Sequence, residues 1–220
     1  MITAPVFGIS RLRMGTDGPG ITTLVTFMGC PLQCKYCLND FCHKPVFEAD
    51  GKTPAKGVSL LTPQDLYNKV KIDNLYFGMT GGGICFGGGE PALQWRFIKS
   101  FRKICGPEWK IILETCLHYN EYIIKELSKI VDLWIVDIKS MEPIIFEEYT
   151  GVKVAPLYSR LKLLRDIVGE EKVVIKIPLI PEFKDERSVK WELSKIKAMG
   201  FTHIEQIEYI KRLPYSNPQN

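Results

Sequence analysis

Residues 110–137 read KIILETCLHYNEYIIKELSKIVDLWIVD, a strand, a helix and a second strand in unbroken succession. Lys110 to Glu114 and Leu133 to Asp137 are short apolar, β-branched runs. Between them, Glu121 to Ile130 repeats apolar residues at three- and four-residue spacing behind Asn120, a good helix-capping residue. Two apolar strands joined by an amphipathic helix form a parallel, right-handed crossover. The same alternation extends outward. Strands are predicted over Thr22 to Phe27, Ile84 to Phe86, Val173 to Ile177 and His203 to Ile210. Helices are predicted over Pro63 to Asp73, Leu93 to Ile104, Leu157 to Val168 and Ser188 to Met199. Thr62-Pro63 supplies another helix start, and Gly106, Gly169 and Gly200 stand where helix ends favour positive φ. The fold class is therefore α/β with a six-stranded parallel sheet. An open twisted sheet and a curved, incomplete barrel both satisfy the pattern.

At 220 residues the chain suits one domain, residues 1–220. Its longest apolar runs, such as Leu133 to Val136, are far below the ~20 residues that span a bilayer, so no membrane association is expected. The start, Met1 to Pro5, lacks the basic and apolar blocks of a secretion signal, which points to the cytoplasm. The formal charge of +4 is spread along the chain without a basic stripe, which argues against nucleic acid and for an acidic protein partner. Phe41 to Leu61 reads as a loop, and Pro214 to Asn220 as a fraying tail.

Seven cysteines are an odd number, and Cys30, Cys34 and Cys37 crowd into one CxxxCxxC loop just after the first of these strands. A disulfide framework is the weaker explanation. Three thiolates can hold three irons of a cubic cluster and leave the fourth open, so that a substrate or cofactor can bind the metal directly. Two other readings are a zinc knuckle completed by Cys42 or His43, and a set of reduced thiols without metal. Cys85, Cys105 and Cys116 read as small buried hydrophobes.

The second signal is Gly81-Gly82-Gly83-Ile84-Cys85-Phe86-Gly87-Gly88-Gly89-Glu90-Pro91, a strand bracketed by glycines and ended by a carboxylate. Glycines allow the backbone to approach a ligand closely, and Glu90 can pair with an ammonium group. The lysine and hydroxyl residue of a phosphate loop are missing.

Taken together, Cys30 to Cys37 and Gly88-Gly89-Glu90-Pro91 resemble the cysteine triad and GGEP motif of the radical S-adenosylmethionine enzymes. Thr16-Asp17-Gly18-Pro19-Gly20-Ile21, Val131 to Lys139, Tyr149-Thr150-Gly151-Val152, Ile177 to Pro181 and Leu213-Pro214-Tyr215 extend the likeness to the glycyl-radical-enzyme activases, the pyruvate formate-lyase-activating enzyme family. The resemblance implies a partial (β/α)6 barrel of TIM-like type, with a 4Fe-4S cluster on Cys30, Cys34 and Cys37 and S-adenosylmethionine on the open iron. It implies that Gly88, Gly89 and Glu90 hold the methionyl ammonium, that Asp137, Lys139 and Lys176 contact the cofactor, and that Tyr36 lies near its adenine. Glu114, Thr115 and Asp137 match a monovalent cation site, with Glu114 where aspartate is usual. Asp17 matches a position near the substrate peptide. Thr22, Gly87, Leu38 and Ser216 replace arginine, serine, histidine and histidine of the common pattern.

The activity so implied is reductive cleavage of S-adenosylmethionine to a 5′-deoxyadenosyl radical. That radical abstracts hydrogen from a glycine of a partner glycyl radical enzyme. A flavodoxin or ferredoxin is the implied electron donor, and a monomer is the default state. The alternatives are a radical enzyme that modifies a ribosomal peptide or a pterin-like small molecule, in the manner of carboxy-deazaguanine synthase, and a non-catalytic iron-sulfur or zinc protein.

Overall fold

In the computed structural model, which describes residues 2–154, 156–180 and 182–208, eight strands form one mixed sheet. They are β1 (Ala4–Met14), β2 (Ile21–Phe27), β3 (Ser59–Leu61), β4 (Gly83–Gly88), β5 (Lys110–Thr115), β6 (Leu133–Asp137), β7 (Val173–Leu179) and β8 (Ile204–Glu208). Their order is β3-β1-β2-β4-β5-β6-β7-β8. Each neighbouring pair from β2 through β8 is parallel, and these six are the strands expected from sequence. The expected end of the last strand at Ile210, like Pro181 and the Leu213-Pro214-Tyr215 and Ser216 positions, lies outside the described residues.

The two further strands correct the six-strand expectation. β1 pairs antiparallel with β2 and with the three-residue β3. Its polar residues Ser10, Arg11 and Arg13 interrupt the apolar run, and a register shift between Ser10 and Arg13 breaks the alternation. Such a strand has no period-two signature to read. Of the expected helices, Leu157–Val168 (α6) is as read. The others are α3 (Trp95–Cys105), α4 (Glu121–Leu127) and α7 (Glu186–Ala198). The stretch expected as Pro63 to Asp73 is instead α1 (Pro63–Val70), a short 3-10 turn over Lys71–Asp73 and a separate α2 (Asn74–Thr80). α5 (Pro143–Thr150) was not expected, and it starts on a proline at its first turn and stops at Gly151, φ 73°, as helix-end preferences favour.

Because side chains alternate across a strand, the sheet has two unlike faces. One carries Phe27, Ile84, Phe86, Ile111, Leu113, Trp134, Val136 and Ile175. These pack with Leu66, Phe77, Phe97, Phe101, Ile124, Leu161 and Ile196 from the helices in one large core. The other face holds a small apolar cluster of Cys85, Ile112 and Ile135 with Leu24, Leu133 and Val174, to which no helix among the described residues contributes. Helices on one side and a narrow lumen on the other make this a curved, partial barrel. The segment before β2 closes the lumen: a Cβ on Gly18 would lie 2.9 Å from both Ile112 Cδ1 and Leu133 Cδ2. At the amino end of β5, Asp132 accepts the Ile111 N–H at 2.7 Å and pairs with Arg102, which pins the β5–β6 register.

Candidate active site

The cysteine loop leaves the carboxyl end of β2 and is moulded by backbone bonds from two directions. The Gly29 N–H donates to the Cys42 carbonyl at 2.8 Å, closing the loop on its own base. Gln33 and Lys35 donate to the carbonyls of Thr150 (2.8 Å) and Tyr149 (3.0 Å) at the end of α5. The Tyr149-Thr150-Gly151 motif is thus the mould that shapes the cysteine loop. Tyr36 sits edge-on to Tyr149 and Phe183, with ring centroids 6.2 and 5.9 Å away, and its phenol bonds Glu182. Cys30, Cys34 and Cys37 are half-buried free thiols.

The glycine loop is stitched to the cysteine loop. The Gly89 N–H donates to Phe27 O at 2.9 Å and the Glu90 N–H to Gly29 O at 2.8 Å, immediately before Cys30. A Cβ on Gly89 would stand 2.1 Å from that Gly29 oxygen, and Gly88 adopts φ +90°. Both positions therefore require glycine. Glu90 is buried, and its carboxylate accepts from Ala92 N (3.0 Å), Thr115 Oγ1 (2.9 Å), Cys116 N (2.9 Å) and Cys116 Sγ (3.1 Å). Burial pushes its carboxyl above the usual range. Glu90 therefore ties the ends of β4 and β5 together.

That arrangement corrects the reading of Cys116 as a small hydrophobe. Its thiol lies between Glu90 and Cys30, and its hydrogen bond to Cys30 lowers the Cys30 pKa while its own is driven well up. Sequence reasoning missed it. The signal was its place directly after Glu114-Thr115, where a parallel strand delivers its last residues to the carboxyl edge. Cys85 and Cys105 are buried, as expected.

Toward the carboxyl ends the inner face changes from apolar residues to Glu114, Asp137 and Lys176, which follow Ile112, Ile135 and Val174 two residues on. Asp137 pairs across the ladder with Lys176. Its Oδ2 accepts from Lys139 Nζ at 2.5 Å, whereas its buried Oδ1 has no hydrogen-bond partner among the described residues. Lys176 Nζ lies 3.4 Å from Glu114 Oε1 and 3.3 Å from Thr16 O. Desolvation pushes the Glu114 carboxyl up, against the pull of Lys176. A Cβ on Gly87 would be 2.9 Å from Glu114 Oε2, so the glycine makes room for the longer acid. The expected cation set is divided: Glu114 and Asp137 share the inner face, while Thr115 turns to the other side, bonding Glu90 and Tyr119. Asp17 is buried below them, paired with Arg13 and accepting from Thr22 Oγ1 at 3.3 Å.

The thiols differ in acidity. Burial raises Cys34 to about 12. Cys37 falls to about 6, chiefly through a hydrogen bond from Cys42 and further through Asn39 N–H and His43. A metal-ligating loop of this kind is deprotonated when it binds.

The model of the Radical SAM superfamily matches residues 24–190. The chain belongs to the radical SAM superfamily. Superfamily members use a 4Fe-4S cluster and S-adenosylmethionine. The chain is 31% identical over 217 residues to a pyruvate formate-lyase-activating enzyme of Clostridium pasteurianum, covering 98% of this chain and 83% of that one. It is 28% identical to pyruvate formate-lyase 1-activating enzyme of Escherichia coli K12, over 90% of this chain and 76% of that one. The fold is similar to SuiB of Streptococcus suis, solved bound to S-adenosylmethionine, with TM-score 0.60 and 12% identity over 88% of this chain and 40% of that one. The residues present fit a radical SAM cofactor pair: three free thiols lie on one preshaped loop, and the buried Asp137 Oδ1 beside it is an acceptor without a donor among the described residues. No helix among the described residues is long and apolar enough to cross a membrane.

Proposed function

We propose that this radical SAM enzyme is an activase that removes hydrogen from a backbone glycine of a partner glycyl radical enzyme. The observation that carries the reading is the match, over 98% of this chain, to a protein named as such an activating enzyme. Cys30, Cys34 and Cys37 would hold the cluster, which would supply the one-electron reduction that cleaves S-adenosylmethionine into methionine and the hydrogen-abstracting 5′-deoxyadenosyl group. The chain's own part is positioning. Gly88 and Gly89 let the glycine loop close on the base of the cysteine loop, and Asp137 Oδ1 offers an acceptor while Lys139 balances its charge. Lys176 can turn from Glu114 to a carboxylate ligand, a role its place on the inner face supports. Tyr36, held by Tyr149, presents a ring for an adenine base to stack on. In the same reading a monovalent cation beside Glu114 and Asp137 replaces the positive charge that Lys176 withdraws on turning. Asp17 is given to the substrate peptide by the resemblance alone; it is buried, paired with Arg13 and bonded by Thr22, and that pair would have to open for a peptide to reach it.

The reading places residues 1–220 in one domain acting as a monomer in a reducing cytoplasm, where a thiol-rich loop stays reduced. The four excess positive charges support an acidic donor such as flavodoxin or ferredoxin. The test is anaerobic reconstitution, reduction with dithionite and addition of S-adenosylmethionine, with Cys34→Ala as control. The expected result is Cys34-dependent 5′-deoxyadenosine and methionine. Adding the partner should then give a glycyl doublet by electron paramagnetic resonance. Cleavage without a glycyl signal from any candidate partner would refute the activase reading and favour a peptide or pterin-like hydrogen donor.

A further inference from the structure

Cys42 and His43 belong to neither motif, yet they stand against a cluster ligand. They end the 3-10 turn Asp40–His43, which is fixed on three sides. The Cys42 N–H donates to Asn39 O at 2.9 Å, the Cys42 carbonyl accepts from Gly29, and the Phe41 ring packs on Phe7 at 5.5 Å. Cys42 is buried while His43 is exposed. The Cys37 and Cys42 sulfurs and a His43 ring nitrogen all lie within 4.8 Å of one another. Two sulfurs on one tetrahedral zinc, each at ~2.3 Å, are roughly 3.8 Å apart. The three ligand atoms therefore need to close by only about 1 Å, a side-chain adjustment that leaves the backbone where it is.

Two of the three, Cys37 and His43, line an open pocket of about 450 Å³ together with Gln33, Cys34, Lys35 and Asp40. A metal can enter there and keep a water as fourth ligand. Two sulfurs and an imidazole are the donor set of zinc and its borderline neighbours, not of magnesium or calcium. We propose that Cys37, Cys42 and His43 form a divalent-metal site of the cluster-free protein, selective for zinc over ferrous iron, that competes with the iron-sulfur cluster for Cys37. Binding is not a redox step. Zn²⁺ takes Cys37 and Cys42 as thiolates, releasing to solvent whatever thiol protons the pair still carries, and neutral His43 as third ligand. Zinc outranks ferrous iron for such donors, so zinc arriving first holds Cys37 and delays cluster assembly. The competition rests on the cluster reading above, whereas the site itself does not.

The test uses the full chain, freed of metal by a chelator under anaerobic conditions and titrated with Co²⁺. The expected result is thiolate-to-cobalt charge transfer with the visible bands of tetrahedral cobalt, displaced by Zn²⁺. His43→Ala, at an exposed position that leaves the fold intact, and Cys42→Ser should each weaken binding by about tenfold or more. Cys30→Ser and Cys34→Ser should leave it unchanged. Loss of the bands in Cys30→Ser or Cys34→Ser with retention in His43→Ala would overturn the proposal by assigning the metal to the cysteine triad, and so would octahedral cobalt without sulfur bands. In a second arm, one equivalent of Zn²⁺ should slow cluster reconstitution of the parent chain, followed by visible absorbance, and slow that of His43→Ala far less. Equal rates with and without zinc in the parent chain would overturn the competition. Failure of the parent chain to build a cluster, with or without zinc, would refute the cluster reading and leave the cobalt result standing.

Discussion

Replacing Gly89 with alanine puts a methyl 2.1 Å from the carbonyl oxygen of Gly29 and 2.9 Å from that of Phe27. Both obstacles are backbone, so no side chain can swing aside. Restoring an ordinary 3.4 Å contact with Gly29 O requires a shift of about 1.3 Å. That shift stretches the 2.8 Å bond from Glu90 N–H beyond any useful length. Overpacking of this kind costs about 1–3 kcal/mol and the lost hydrogen bond about 1 kcal/mol, so Gly89→Ala should lower stability by about 2–4 kcal/mol. For a chain of this size the melting temperature falls by roughly 5–15 °C. The moved carbonyl belongs to the residue before Cys30, and misplacement by about 1 Å at a reacting centre costs on the order of 100-fold in rate. Anaerobic calorimetry and 5′-deoxyadenosine release measure the two effects. Gly78→Ala is the control: it lies in α2 with nothing within 4 Å of its Cβ, and should stabilise by up to about 1 kcal/mol. A Gly89→Ala protein that melts within a degree or two of the parent and cleaves the cofactor normally would refute the packing argument.

Glu192 and Lys184 form an ion pair at 2.5 Å with both side chains fully buried, and Glu192 also accepts from Ser140 Oγ at 3.0 Å and Met141 N at 2.8 Å. Glu192→Gln should cost about 3–5 kcal/mol by stranding the ammonium, and the Glu192→Leu, Lys184→Met double variant should cost less by urea titration; equal losses would argue against a desolvated pair. In chelator-treated protein Cys37, with its pKa near 6, is largely thiolate at neutral pH, while Cys34 stays protonated until about 12. Iodoacetamide should thus label Cys37 with a midpoint near pH 6 and Cys34 only in strong alkali, and mass spectrometry showing one common midpoint would contradict that order. Glu126 is held near 2 by Lys129 and Lys99. A depressed folded pKa gives stability that is complete above the ordinary 4.5 and lost as pH falls toward 2, so the difference between parent and Glu126→Gln in urea should vanish across that interval; a constant difference would sink the assignment.

What sequence could reveal depended on whether the signal was local. α6 was readable to the residue because Leu157, Leu161, Leu164 and Val168 form one buried stripe and Gly169 ends it. The Thr62 cap was equally plain, since Thr62 and Asp65 bond each other reciprocally. β1 was not, because its alternation breaks at a bulge, and α5 was obscured by Pro143-Ile144-Ile145, whose β-branched pair argues against helix. At the site, Cys30, Cys34, Cys37 and Gly88 to Glu90 declare themselves by spacing. Partners that arrive through tertiary contact do not, namely Cys116 against Cys30 and the Tyr149 and Thr150 carbonyls behind the cysteine loop. The turn of Thr115 away from Asp137 was readable only from strand parity, once the edge of β5 was known.

The mould around the cysteine loop also sets a timetable. Cys30 to Cys37 leave the ribosome early, but the carbonyls of Tyr149 and Thr150 that shape them are made about 110 residues later. At roughly 5–20 residues per second that gap is on the order of ten seconds. During that interval the nascent thiols exist without the geometry that would hold three irons. With the cluster placed on these thiols as proposed, its delivery is expected to be a late event, after β6 and α5 have been translated and docked, and a ribosome-bound fragment ending before Tyr149 should not retain a cluster.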